Sequence, residues 1–135
     1  MTDASIEQEI QAKGKTAARV TPADIEAEIV SEHCFTAEQG AFAAFYPPRG
    51  ADIVPPELSL LTFCVLVLRN GFTVTGESAC ASPENFDAEI GRKIARQNAI
   101  EKVWQLMGFR LRDQLSRQMQ CTCGSNTACG QYPAR

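Results

Sequence analysis

Six cysteines and one histidine are the side chains of this 135-residue chain best suited to chemistry. Cys121-Thr122-Cys123-Gly124 is followed by Cys129, and clustered thiolates suggest zinc. One residue separates the first pair, tighter than the usual spacing of about two to four in structural zinc sites. A fourth ligand would have to come from His33, Cys34 or Cys80. The surrounding Gly, Ser, Asn and Thr are equally typical of a flexible tail.

Cys80 is the candidate nucleophile. It stands between a predicted strand and a predicted helix start, where the helix dipole favours a thiolate. Glu77 opposes that shift, and a structural role at a tight turn competes with the reactive one. With His33 the only imidazole, an ordinary Ser-His-Asp or Cys-His arrangement exists only if His33 takes part. Neither GxxxxGK[ST] nor GxGxxG occurs. The residues therefore predict a non-enzyme without a required cofactor.

The turn from Cys80 to Asn85 is a candidate anion site, because backbone N–H groups at a helix start point outward. Ser78, Ser82 and Asn85 would supply polar contacts. Arg92 or Arg96 would supply charge, from the same chain or across a dimer. Arg92, Lys93 and Arg96 otherwise read as a solvated flank with Glu89 among them.

The elements that must position these residues follow from periodicity and punctuation. Asp3 to Lys13 predicts a short helix with Ile6 and Ile10 on one face and Gly14 as its stop. Thr21-Pro22-Ala23-Asp24 predicts a second helix, running to about Glu32 and turning Ile25 and Ile29 to the core. Residues 34–57 read as an irregular proline-rich loop, with Pro47-Pro48 and Pro55-Pro56 barred from helix interiors and central strands.

Leu60 to Leu68 predicts a strand and Asn70-Gly71 a two-residue hairpin turn. That register pairs Arg69 with Phe72 and sets Phe63, Val65 and Val67 opposite Ser78, Gly76 and Val74. The first strand is apolar on both faces, so one face should meet a helix and the other a further layer or subunit. Ser82-Pro83 should then open a long helix, with Ser82 as N-cap, and Gly108 should kink or end it.

At about 100° per residue, Phe86, Ile90 and Ile94 form a bulky stripe on this helix. Ala88, Gly91, Ala95 and Ala99 form a stripe of small residues roughly opposite. Two such faces predict burial between the chain's own sheet and a second chain, hence a homo-oligomer through the small stripe. The fold class is α+β: short N-terminal helices and an antiparallel hairpin or small sheet packed on one long helix. Residues 1–119 should form a single domain, with residues 120–135 as a tail.

NGFTVTGESACASPENFDAEIGRKIARQNAIEKVW resembles the core of a small phage-protein family, named for gene product forty-nine of coliphage N-four and gene sixty-six of Shigella phage Sf-six. EIQAKGKTAARVTPADIEAEI is similar to that family's N-terminal block. The likeness covers residues 7–29 and 58–115, leaving the proline-rich loop and the tail as variable additions. It implies a virus- or prophage-encoded protein acting in the host bacterial cytoplasm, and carries over no catalytic residue.

Composition sets further bounds. A net charge of -3 argues against general nucleic-acid binding. The polar N-terminus carries no secretory signal, and the longest apolar run is too short to span a bilayer. The leading expectation is an accessory protein for host takeover or counter-defence, binding a host protein or a small nucleotide ligand. The alternative is a metal- or nucleic-acid-binding regulator that uses the tail cysteines and basic flank. An enzyme built on Cys80 ranks third.

Overall fold

The structure, a computed structural model, describes residues 2–15, 17–45 and 54–121, with the backbone alone at Cys121. Its centre is a hairpin of β2 (Leu61–Leu68) and β3 (Thr73–Ala79). Strand β2 buries Thr62, Cys64, Leu66 and Leu68 on one face and half-buries Leu61, Phe63, Val65 and Val67 on the other. Both faces of this strand are apolar, the second being only half-buried.

The third strand, β1 (Ile29–Thr36), pairs antiparallel with β2 in the order β1-β2-β3. It lies where a helix extending to Glu32 and then irregular chain were expected. Helix α2 (Pro22–Glu28) stops at Glu28 instead. The segment from Ile29 to Thr36 gains ladder partners on β2, and tertiary pairing overrides the Ile25–Ile29 helical spacing. Further along, Thr36 caps helix α3 (Ala37–Ala44). Its hydroxyl accepts from the Gln39 amide, and the Gln39 side chain accepts from the Thr36 amide.

The hairpin register differs from expectation by one residue. Leu68 N–H donates to the Phe72 carbonyl at 2.9 Å, and Gly71 N–H donates to the Leu68 carbonyl at 2.9 Å. Three residues, Arg69, Asn70 and Gly71, thus form the loop, with Gly71 at φ +86°. Leu66 pairs with Val74, and Cys64 with Gly76. A one-residue slip exchanges faces, so Val74 and Gly76 join Cys64 and Leu66 on the buried side.

Helix α4 (Ala88–Cys121) covers that side. Its start is also corrected. Ser82 makes no side-chain cap; it precedes a 3-10 turn, Pro83–Asn85. Asp87 does the capping, its carboxylate accepting from the Glu89 and Ile90 amides at 2.9 and 3.1 Å. Gly108 does not end the helix, which runs 34 residues, about 51 Å at 1.5 Å per residue.

The two stripes of α4 have exchanged roles. Gly91, Ala95 and Ala99 are buried against the chain's own sheet, so they are not a free surface for a second copy. Ala88 is exposed, while Ile90 and Ile94 are 56% and 46% exposed. A helix and a sheet approach most closely where both lack side chains, and Gly76 stands opposite Ala95 and Ala99. Ile100, Val103, Leu66, Leu68, Val74 and Ile25 complete the core.

Helix α1 (Asp3–Ala12) buries no residue. Trp104 holds it by an indole N–H donated to Asp3 at 3.3 Å, and Arg19 by a two-pronged ion pair to Glu7. The result is an α+β fold, with a three-stranded antiparallel sheet and the long C-terminal helix packed on one face.

Candidate functional site

Two adjoining clefts lie where the first turn of α4 meets the sheet. The smaller, about 130 Å³, brings Ser78 and Asn85 together with Cys80, Phe86 and Asp87. The larger, about 280 Å³, runs between β1, α3 and the start of α4, and Arg92 stands at it. Thr62 and Phe86 border both clefts.

The five predicted anion ligands do not converge. Ser78 and Asn85 share the smaller cleft, while Ser82 turns its backbone carbonyl to the Cys80 thiol, which donates to it at 3.1 Å. At the expected helix start the Asn85 N–H donates to the Ser82 carbonyl at 3.0 Å, and at the observed start of α4 the Glu89 and Ile90 amides are bonded to Asp87. Arg96 is committed elsewhere. It donates to Glu26 at 2.9 Å and to Glu32 at 2.6 Å, tying α4 to α2 and β1. Those bonds, Glu26 first, raise its pKa above the usual arginine value.

Arg92 differs. Among the described residues it makes no hydrogen bond or ion pair. The same cleft is lined by Phe86, Gln39, Ser59, Thr62 and the acid Glu38, whereas the Phe35 ring packs on Phe63 on the other face of the sheet. A guanidinium with no partner, an aromatic ring and hydroxyl or amide groups together suit a ligand that is both anionic and flat. Sequence reasoning missed Ser59, which lies just before the predicted strand, and it missed Phe35 and Gln39 because it left residues 34–57 without structure. The Thr36-Ala-Glu-Gln39 capping box was the signal that would have placed them.

Nucleophilic chemistry finds no assembled partner for Cys80. His33 pairs with Val65 and lies on the sheet face away from α4, whereas Cys80 lies near the start of α4. The thiol is separated from the α4 terminus by the 3-10 turn and the Asp87 cap. Among the described residues, no three His, Cys, Asp or Glu side chains are grouped to hold a metal ion. Cys123, Cys129 and the side chain of Cys121 lie outside the described residues.

Charged residues elsewhere serve the fold. Glu28, buried beneath α4, takes two bonds from Arg110 at 3.0 and 3.1 Å. These hold its carboxyl below the usual range against the opposing effect of burial. Glu7 is lowered to about 2, mainly by its bonds to Arg19.

The family model described as "Phage protein (N4 Gp49/phage Sf6 gene 66) family" matches residues 20–115. The chain belongs to this family. The matched range includes β1, α3 and the proline-rich segment. It begins after α1, so the N-terminal block from residue 7 is only partly within it. Neither a curated protein nor a solved structure matches the chain. No helix among the described residues is long and apolar enough to cross a membrane.

Proposed function

We propose that this family member is a non-catalytic accessory protein of the phage that binds a host molecule, and that the cleft beside Arg92 takes a nucleotide-type signal. The observation that carries this reading is Arg92 itself. An arginine without a partner, next to Phe86 and three neutral polar side chains, supports recognition of a phosphate joined to a flat ring. Arg92 would hold the phosphate, Phe86 would face the ring, and Glu38 would accept from amino or hydroxyl groups. Sequestering such a signal needs no catalytic group, in keeping with the separation of Cys80 from His33. Counter-defence in the host cytoplasm is the role that fits a phage protein of this kind. A homo-oligomer is part of the proposal. Its interface would use the exposed Ile90 and Ile94 rather than the buried small stripe.

Native mass spectrometry of the full chain from phage-infected cells tests this reading. A bound small molecule with a nucleotide spectrum, lost in Arg92→Ala while the fold is kept, is the expected result. A stoichiometric host protein with an empty cleft would move the function to protein binding. Zinc lost on Cys121→Ser would favour the regulatory alternative.

A further inference from the structure

Cys34 and Cys64 form a pair that ligand binding does not require. They are register partners across β1 and β2. Leu68 N–H bonds the Phe72 carbonyl and Cys80 N–H bonds the Leu60 carbonyl, so the even-numbered residues of β2 direct their backbone groups to β3. Cys34 and Cys64 therefore face each other as a non-hydrogen-bonded pair, the closer antiparallel arrangement, with α-carbons roughly 4.5 Å apart. A disulfide spans α-carbon separations of roughly 4.4–6.8 Å. Both side chains lie on the α4 side of the sheet. Both are free. Cys64 is fully buried, whereas Cys34 is half-buried and lines the larger cleft. A reagent entering that cleft meets one thiol first and finds the second directly behind it.

We propose that Cys34 and Cys64 form an oxidisable dithiol, a modification site at which a small disulfide of the glutathione class converts the pair into a cross-strand disulfide. The Cys34 thiolate attacks one sulfur of the oxidant, forming a mixed disulfide and releasing one glutathione thiolate. Cys64 then gives its proton to solvent and attacks the Cys34 sulfur, displacing the second glutathione thiolate. The two protein thiols lose two protons and two electrons, and the oxidant leaves as two reduced thiols. Burial, with the Cys34 contact second, pushes Cys64 up to about 12, so the closing step quickens as pH rises. The product ties edge strand β1 to β2 and removes a free thiol from the cleft wall.

The test uses the full chain with Cys80, Cys121, Cys123 and Cys129 changed to serine. It is incubated with oxidised glutathione at about pH 7 and about pH 9, then mapped without reduction. A linked Cys34–Cys64 peptide, lighter by two hydrogens and formed faster at the higher pH, is expected. A glutathione that stays on Cys34, or two thiols still reduced when the urea-unfolded chain does close the disulfide, would overturn the proposal. This arm leaves both core cysteines in place, so misfolding cannot mimic failure. In a second arm, Cys64→Ser should trap the mixed disulfide on Cys34; absence of that adduct from a folded variant also counts against it. No cleft ligand takes part, so the outcome is independent of the nucleotide reading.

Discussion

Gly76 lies against the backbone of Ala95: a β-carbon at position 76 would overlap the Ala95 carbonyl oxygen and the Ala99 amide nitrogen, and would come within 3.0 Å of the Ala99 α-carbon. The obstruction is helix backbone, which cannot swing aside like a flexible side chain. The close seat of α4 on the hairpin depends on this contact. With it go the positions of Asp87 and Arg92 at the clefts.

Gly76→Ala should therefore cost about 3 kcal/mol, the upper end of overpacking. Urea unfolding monitored by circular dichroism would measure it. A loss within about 0.5 kcal/mol would show that α4 sits less tightly than described.

Gly108→Ala should act in the opposite direction. The site is inside α4, exposed, and has nothing within 4 Å of an added β-carbon. Replacing a mid-helix glycine should add about 0.5–1 kcal/mol and raise the melting temperature.

The caps supply a paired test. Asp87→Ala removes the acceptor for the Glu89 and Ile90 amides and should cost about 1 kcal/mol. Ser82→Ala should be near neutral, since its hydroxyl caps nothing. Amide exchange at residues 89 and 90 should quicken in the first variant only.

Acid stability should depend on Glu28. Arg110 holds its folded pKa below the ordinary value of 4.5. A depressed folded value means that the ionised pair stabilises fully above the unfolded pKa, and that this contribution is lost as pH falls through the folded one. The urea midpoint should thus decline on acidification below about pH 5, and Glu28→Gln should show a shallower decline from a lower starting point. Equal slopes for the two proteins would assign the acid response to other carboxylates.

Two arginines four residues apart should separate stability from binding. Arg96→Ala breaks the bonds to Glu26 and Glu32 and should lower the unfolding midpoint. Arg92→Ala should leave stability within about 0.5 kcal/mol, as surface changes without a partner usually do. The bound small molecule should nevertheless be lost from Arg92→Ala. If Arg92→Ala retains it, the larger cleft is not the site.

How far each element was legible depended on how local its cause was. The two N-terminal helices and the strand-turn-strand run carry their own stop, cap and turn residues, and they form near the expected positions. Strand β1 has no such local signature. Ile25 and Ile29 are spaced like a helix, and only the open edge of β2 shows why the chain turns extended after Glu28. The hairpin slip has a similar origin, for Asn70-Gly71 fits both a two-residue turn and the three-residue loop observed. At the site, Ser78 and Asn85 were found together, Arg96 had been taken by acids distant in sequence, and Phe35 and Gln39 depended on β1.

The sequence by itself determined the α+β class, the family, the small and bulky stripes of α4 and the surplus apolar face of β2. Each is a matter of residue type at fixed local spacing. Only the tertiary structure decided which stripe meets the sheet, because the Gly76–Ala95 contact and the hairpin register act between segments that periodicity treats separately. It also decided that, among the described residues, Arg96 is paired and Arg92 is not. Charge pairing depends on distance in space, and Glu26 and Glu32 reach Arg96 rather than Arg92 only after β1 has folded beside β2.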